Sequence, residues 1–304
     1  MPHKAHLAGV CFATMFGFSF MFSKIALDYV SPMGLIAYRF SVAAIAFETM
    51  RRLKWVHIRF ERSMIRPLFW VVFFQPILYF IFEINGLNLI TSAEAGMMIA
   101  LIPVFGAIMS GLVLKEPVKK GQWIFIGLSV LGILFIQWNR LQEGFEGALL
   151  GFVLVFISVL AAAAFNIASR FAGRKIYAVE VTYVMMIAGA LFFNVVYLVE
   201  LSLAGDVGRY LVIFEQSALW LPIVYLGLVA SIMGFFLVNY ALRYLSAPVA
   251  SIYANLATIV SILAGAFILG EALFAYHAIG SAMILTGVYG TVRLGQVKRY
   301  KVPQ

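Results

Sequence analysis

An internal repeat is visible in TSAEAGMMIALIPVFGAIMSGLVLKE, residues 91–116, which aligns without a gap with SAPVASIYANLATIVSILAGAFILGE, residues 246–271. The alignment places Glu116 opposite Glu271, and most other pairs are small or apolar on both sides. Each segment is apolar enough, and long enough, to form a helix across a bilayer core, which takes roughly 20 residues. The two segments therefore predict a repeat built from membrane-spanning helices.

The rest of the chain is as apolar as the repeated segment. Of its 304 residues, 63% are hydrophobic and 12% are charged, whereas soluble domains have about 45–50% apolar and about 25% charged residues. A soluble protein of this size could not bury so much apolar surface, so lipid must surround it. A single cysteine, Cys11, excludes an internal disulfide. The scattered histidines lack metal-ligand spacing, so we expect no metal site and no cofactor.

Hydrophobic runs of membrane-spanning length recur along the chain. They lie at about 6–28, 31–50, 67–88, 92–114, 119–138, 147–170, 178–201, 217–241, 246–269 and 273–294. Together they occupy most of the sequence and leave no room for a separate soluble domain. The sequence predicts an all-α integral membrane protein with ten transmembrane helices.

Lysine and arginine are unevenly distributed over the predicted loops. Most of the 22 basic residues lie at the chain ends and in loops that share one face of the membrane. The others fall on or towards the opposite face: Lys24, Arg39, Arg140 and Arg209. Because cytoplasmic loops carry such an excess, we expect both termini in the cytoplasm and the protein in the plasma (inner) membrane. The same distribution explains the net charge of +9, so no nucleic-acid partner is expected.

The repeat divides the chain into two halves, residues 1–140 and residues 141–304, the second ending in a short basic tail. Each half holds five predicted helices. Because five is odd, the second half must enter the membrane in the opposite orientation to the first. Inverted repeats of this kind are a recurring transporter architecture, with the substrate site near the bilayer midplane between the repeats.

Three motifs carry a family resemblance. They are YLGLVASIMGFFLVNYALRYLSAPVAS at 225–251, LGEAL at 269–273, and a first-half helix with Pro103 near its middle and KEP at its end. In these motifs the sequence resembles the EamA-type transporters of the drug/metabolite transporter superfamily. The resemblance covers the whole chain. It implies ten helices around a central cavity and export of small metabolites, amino acids or drugs.

The segment FFQPILYFIFEING, residues 73–86, places a glutamate inside an apolar run. On a helix, Gln75, Tyr79 and Glu83 recur every four residues and share one face. An ionised carboxylate facing lipid costs about 2.5–3.5 kcal/mol on insertion scales, so such groups normally face the bundle interior or a wet cavity. Either Glu83 pairs with Arg39 and locks the bundle, or it lines a cavity in which it binds a cationic substrate or carries a proton.

Glu94 opens the fourth predicted helix, where the helix dipole stabilises an acidic residue. Capping explains this glutamate, although its depth would also let it share a vestibule with Glu83. We take Glu83 first and Glu94 second as candidates for proton coupling. Polar stripes on several helices predict a wet centre, although such groups often only bond neighbouring helices. The predicted cavity residues are Phe18, Gln75, Tyr79, Glu83, Glu94, Met98, Asn166, Asn239, Tyr253 and Asn255.

Glu116 and Glu271 occupy the same position in the two repeats, at the end of one predicted helix and just before the next. A carboxylate near a helix N-terminus is favourable because unpaired amide groups and the helix dipole meet there. We expect each to stabilise the N-terminus of the helix that follows it.

These features predict a secondary transporter that moves small organic metabolites by alternating access, with export of amino acids, related compounds or drugs as its task. Its expected partners are the substrate and the lipid bilayer, and its expected state is a monomer. No GxxxxGK[ST] loop is present for direct use of ATP.

Three alternatives remain, of which one is a receptor or scaffold, a class that would tolerate an apolar, unsplit bundle core. An exchanger of sugar phosphates or nucleotide sugars would need a cluster of basic side chains at membrane depth, where only Arg39, with Lys24 nearby, is found. A membrane enzyme or lipid-modifying protein would need a nucleophile with a base, or a metal constellation. The lone Cys11 has no histidine near it on the same predicted helix, and we expect no enzymatic activity.

Overall fold

A computed structural model describes residues 2–59, 61–114, 119–142, 148–245 and 247–295, and all regular structure within these ranges is helical. The α-helices are α1 (Pro2–Leu27), α2 (Pro32–Arg52), α3 (Ile65–Val72), α4 (Tyr79–Leu89), α5 (Ser92–Ile99), α6 (Ile102–Leu114), α7 (Lys120–Gln142), α8 (Ala148–Ala172), α9 (Ala178–Ala204), α10 (Val212–Glu215), α11 (Trp220–Val224), α12 (Phe235–Tyr244), α13 (Ala247–Phe267) and α14 (Ala275–Gly295). Short 3₁₀ turns precede α3, α10 and α11.

Eight helical stretches in the described ranges are long and apolar enough to cross a membrane. They are Lys4–Leu27, Pro32–Arg52, Arg62–Leu89, Ser92–Met109, Lys120–Asn139, Leu149–Ala172, Ala178–Ala204 and Ser217–Tyr244. A shorter apolar helix, Leu256–Phe267, lies within α13. The chain is therefore an all-helical, multi-pass membrane protein. That ten helices cross the bilayer, with both termini in the cytoplasm, stays a prediction.

Three of the predicted helices are interrupted rather than continuous. A π-helical segment, Phe73–Leu78, joins α3 to α4 and contains Pro76, which has no amide hydrogen to donate. A second π-helical segment, Tyr225–Gly234, joins α11 to α12. The fourth predicted helix divides at residues 100–101 into α5 and α6, so that Pro103 falls in the first turn of α6, where an amide hydrogen is not needed. Such interruptions are frequent at functional sites.

Treating α3–α4, α5–α6 and α11–α12 as one column each gives ten helical columns in the described ranges, numbered 1 to 10 along the chain. Column 2 packs against column 7, column 4 against column 9, and column 5 against column 10. Column 1 packs on columns 8 and 9, and column 6 packs on columns 3 and 4. Columns five places apart can be exchanged, column 1 with column 6, column 2 with column 7, and so on. The contacts of column 1 with columns 8 and 9 then become those of column 6 with columns 3 and 4, and the other three pairs stay the same. The predicted pair of inverted five-helix repeats would produce such an exchange, and that arrangement stays a prediction.

Columns 5 and 10, formed by α7 and α14, approach closely at glycine. A Cβ atom on Gly287 would collide with the backbone oxygen of Phe125 and with the hydroxyl of Ser129. A Cβ atom on Gly132 would lie 2.8 Å from the backbone oxygen of Gly280. Small residues at such contacts let helices pack by van der Waals attraction inside a membrane.

We predict that Gly287→Ala lowers the thermal midpoint of the detergent-purified protein, because the collision is with α7 backbone and cannot be relieved by a side-chain rotation. Overpacking of this kind typically costs about 1–3 kcal/mol. The matched control is Gly127→Ala on α7, where a Cβ atom meets nothing within 4 Å. The measurement is unfolding followed by tryptophan fluorescence. Equal midpoints for the two variants would show that α7 and α14 do not pack this closely.

Candidate functional site

A cavity lies among α1, α2, α4, α8, α12 and α13, with both interrupted columns of the first half contributing to its wall. Its aromatic wall consists of Phe12, Phe16, Phe20, Phe80, Phe165 and Phe235. Its polar groups are Ser19, Arg39, Gln75, Tyr79, Glu83 and Asn166. The site is mostly apolar, with a few converging polar side chains.

The α1 wall of the cavity comes from Phe12, Phe16 and Phe20, which recur every four residues and share one helix face. Phe18 was predicted to line the cavity, but it does not belong to the wall. Two residues along a helix correspond to a rotation of about 200°, so Phe18 points away from the side on which Phe16 and Phe20 lie. The four-residue spacing groups Phe12, Phe16 and Phe20 on one helix face, but it does not show whether that face meets lipid or a cavity.

Arg39 lies on α2, and its side chain is buried against the cavity. Its Nε donates a hydrogen bond of 2.8 Å to the Oγ of Ser231, in the π-helical segment Tyr225–Gly234. Its Cζ lies 4.5 Å from the centroid of the Phe80 ring, a cation–π contact. Within the described ranges the two terminal amino groups of Arg39 form no hydrogen bond. The guanidinium is therefore held in place by one edge, while its other donors remain available.

Glu83 lies on α4 and is 4% exposed. It lines the same cavity as Arg39, and its Oε2 has no hydrogen-bond partner in the described part of the chain. Glu83 interacts electrostatically with Arg39, but the two described side chains form no ion pair within 4.0 Å. The direct pair that would lock the bundle is not present. A carboxylate that is buried and unpaired is costly, so it needs water or a ligand.

Four of the predicted residues line the cavity together: Gln75, Tyr79, Glu83 and Asn166. The first three keep a common face although Gln75 itself leaves helical geometry, with φ −152° and ψ 120°. Asn166 faces them from α8, one turn after Ala162. The structure thus brings polar groups from both halves of the chain to one space.

Glu94 does not line the cavity. It forms a capping box at the start of α5, where its Oε2 accepts hydrogen bonds of 2.9 Å from the backbone nitrogen and from the hydroxyl of Thr91. Its Oε1 lies 3.6 Å from Nε2 of His277, on α14. Met98, on the same helix as Glu94, is buried, whereas the cavity contacts in this region come from Ile99 and Ile102.

Asn239 bonds neighbouring helices instead of facing the cavity. Its Oδ1 accepts a hydrogen bond of 2.6 Å from Ser169 on α8, and its Nδ2 donates one of 3.0 Å to Thr182 on α9. The cavity contacts of α12 come from Phe235, Val238 and Leu242. This amide therefore ties three helices together.

Tyr253, on α13, also lies outside the cavity wall. Its hydroxyl shares a hydrogen bond of 2.6 Å with Nδ1 of His6 on α1, and its ring meets Phe12 edge-on. Ala257, one turn further along α13, lines the cavity in its place. The side chain of Asn255 lies outside the described residues.

Glu271 stabilises a helix N-terminus, but not that of the helix that follows it. Its Oε1 accepts a hydrogen bond of 2.8 Å from the backbone nitrogen of Ser92, and its Oε2 accepts one of 3.0 Å from that of Ala93. The stabilised helix is α5, in the other half of the chain, so the expectation for α14 was wrong. The equivalent glutamate, Glu116, lies outside the described residues.

Lys24 and Glu271 both form hydrogen bonds with the backbone around the turn between α4 and α5. The Nζ of Lys24 donates hydrogen bonds of 2.9 Å to the carbonyl of Leu87 and 2.8 Å to that of Ile90. The last carbonyls and first amides of helices lack partners within their own helix. Here a lysine of α1 and a glutamate preceding α14 supply these partners. We call the contacts of Lys24 and Glu271 with this turn the end lock.

A multi-pass helical bundle that holds a mostly apolar cavity with a few converging polar side chains has the form of a membrane transporter. The model of the EamA-like transporter family matches residues 3–138 and residues 149–293. The chain belongs to this family.

Relatives named as transporters match almost the whole chain. "Uncharacterized transporter YcxC" of Bacillus subtilis (strain 168) is 34% identical over 287 residues, which cover 94% of this chain and 92% of that protein. An "Uncharacterized transporter" of Archaeoglobus fulgidus is 26% identical over 285 residues, covering 92% and 95%. One solved crystal structure, described only as that of a protein, matches with a TM-score of 0.64 at 17% identity, covering 96% of this chain and 98% of its own. That likeness concerns the fold alone.

We predict that Glu271→Ala lowers the thermal midpoint, because the amides of Ser92 and Ala93 lose their acceptors. A buried donor left without a partner costs about 1–3 kcal/mol. Glu271→Gln keeps one acceptor oxygen and should lie between this variant and the native protein. Glu215→Ala, at an exposed glutamate, is the control and should leave the midpoint unchanged. A midpoint for Glu271→Ala equal to that of the control would contradict the end lock.

Proposed function

We propose that this protein is a secondary transporter of small organic metabolites, with export of amino acids, related compounds or drugs as its task. The observation that carries the proposal is the central cavity, in which buried Arg39 and Glu83 stand unpaired within an aromatic wall. Family membership supports transport as the general activity. A site that holds both charges inside an apolar enclosure suits a solute of metabolite size. The membrane we propose is the plasma (inner) membrane.

The proposed mechanism is alternating access, in which residues 1–140 rock against residues 141–304. Its support is the exchange of column contacts, which fits two inverted five-helix units. The cavity would lie where these units meet, since its polar groups come from α1, α2, α4 and the π-helical segment before α4 in the first unit and from α8 in the second. In the proposed cycle the end lock closes one end of the bundle, and it must open when the site faces that side.

For coupling, we propose Glu83 as the group that carries a proton. Its carboxylate lines the cavity without a hydrogen bond at Oε2, so a change of its charge can be sensed by a bound solute. Glu94 was the second candidate from the sequence, but its Oε2 is engaged in the cap of α5. Uniport without a coupling ion would require no such group.

The geometry gives less support to exchange of sugar phosphates. Among the described residues that line the cavity, Arg39 is the one cationic side chain. Lys24 is committed to the two carbonyls of the end lock. A doubly charged phosphoryl group would be expected to meet a cluster of cations, whereas one guanidinium fits a single carboxylate.

We predict that the native protein, reconstituted in liposomes, moves at least one radiolabelled solute from a panel of amino acids and metabolites, and that a pH gradient changes the rate. Glu83→Gln should abolish the response to the gradient, because the amide cannot exchange a proton. Glu215→Gln, at an exposed position, is the control for reconstitution. Normal pH dependence in Glu83→Gln would refute the coupling role, and absence of transport across the whole panel would refute the proposed function.

A further inference from the structure

The two buried charges of the cavity have opposite signs and yet remain apart. Arg39 is 3% exposed and Glu83 is 4% exposed, and a low-dielectric interior strongly favours direct pairing of such groups. Instead, Arg39 is held by Ser231 on one side and by the Phe80 ring. The protein therefore keeps one cationic and one anionic binding point separate within a single space.

The free edge of Arg39 is suited to a carboxylate. Its Nε–H is used by Ser231, which leaves the terminal amino groups as a planar pair of donors. Arginine binds carboxylates through two parallel hydrogen bonds, a geometry that lysine does not reproduce. The hydrogen bond to Ser231 and the contact with Phe80 fix the plane of the guanidinium before a ligand arrives.

The unpartnered oxygen of Glu83 is suited to an ammonium group, which has donors only. A solute with a carboxylate alone would leave Glu83 buried without a partner, and a solute with an ammonium alone would do the same to Arg39. Leaving one charge of such a set unpaired costs several kcal/mol. Only a solute with both charges satisfies both side chains and keeps the filled cavity neutral.

The remaining wall defines what else the solute carries. It is built largely from phenylalanine rings, among them Phe16, Phe165 and Phe235, with small residues Ala162 and Ala257 between them. Ring edges and faces contribute contact area without fixed hydrogen bonds. A large apolar side chain, aromatic or branched, would fill this part of the cavity.

We propose that the substrate is a zwitterion with a large apolar side chain, its carboxylate bound by Arg39 and its ammonium by Glu83. This inference rests on the proposed function and specifies its substrate class. Arg39 and Glu83 are then the residues that determine specificity, each reading one charge of the solute.

The test is equilibrium binding to the detergent-purified full chain with a matched series that shares one ring: phenylalanine, phenethylamine without the carboxylate, and 3-phenylpropionate without the amine. We expect phenylalanine to bind more than about tenfold tighter than either analogue, because each analogue leaves one buried charge unpaired. Arg39→Gln should remove the preference over phenethylamine. Glu83→Gln should remove the preference over 3-phenylpropionate.

This crossed pattern separates recognition from a structural role, since a merely weakened fold would lower all three affinities together. Arg39→Lys guards against a Gln variant that fails to fold, because it keeps the charge but loses the planar fork; it should weaken phenylalanine more than phenethylamine. Equal affinity of the native chain for the three compounds, or a uniform loss in every variant, would overturn the inference. Transport of other panel solutes would then still support the proposed function, whereas zwitterion binding without any transport would refute that function alone.

Discussion

The structure depends on one constraint: a charged side chain in a lipid-surrounded bundle must face something other than lipid. Arg39 and Glu83 meet this constraint without pairing, because both line one central cavity. The helix interruption at Phe73–Leu78 lies beside the same cavity and contributes Gln75 to its wall, and a second interruption lies at Tyr225–Gly234. An interrupted helix exposes backbone and re-aims side chains, and inside a membrane this is tolerated where protein or a cavity surrounds it. The second interruption also supplies Ser231, which holds the Arg39 guanidinium.

The helices of the bundle are held together by contacts of two different kinds. Columns 5 and 10 meet backbone to backbone at glycine, which leaves little freedom to slide. The end lock instead consists of side-chain hydrogen bonds. Lys24 donates two and Glu271 accepts two, all with the backbone around the turn between α4 and α5. Hydrogen bonds of this type contribute about 0.5–1.5 kcal/mol each, more when one partner is charged. A solute that binds one state better can outweigh a lock of that size.

The sequence predicted the elements better than the directions of their side chains. Hydrophobic length identified the eight helical stretches of the described ranges that are long and apolar enough to cross a membrane. The four-residue spacing of Gln75, Tyr79 and Glu83 placed three cavity residues on one face. The same spacing in Phe12, Phe16 and Phe20 does not mark them as cavity residues, because apolar residues that face lipid and those that face a cavity look alike in sequence. Asn239 was predicted to line the cavity because it is polar, but it forms hydrogen bonds with Ser169 and Thr182. Polar side chains occur both in contacts between helices and in cavities, so polarity alone does not distinguish the two. The partner of Glu271 lies 179 residues away, where no local pattern points to it.

The most direct measurement is the reaction of a cysteine in the cavity with a charged, water-soluble thiosulfonate on the protein in membranes. Cys11→Ser removes the one native thiol, and Asn166→Cys places a new one on the cavity wall. Val195→Cys, on the outward side of α9 and 61% exposed to the surroundings of the bundle, is the lipid-facing control. We predict that the cavity cysteine reacts, that phenylalanine slows the reaction, and that the control does not react. An unreactive cavity cysteine would contradict a water-accessible centre, and with it the reason for burying Arg39 and Glu83 there.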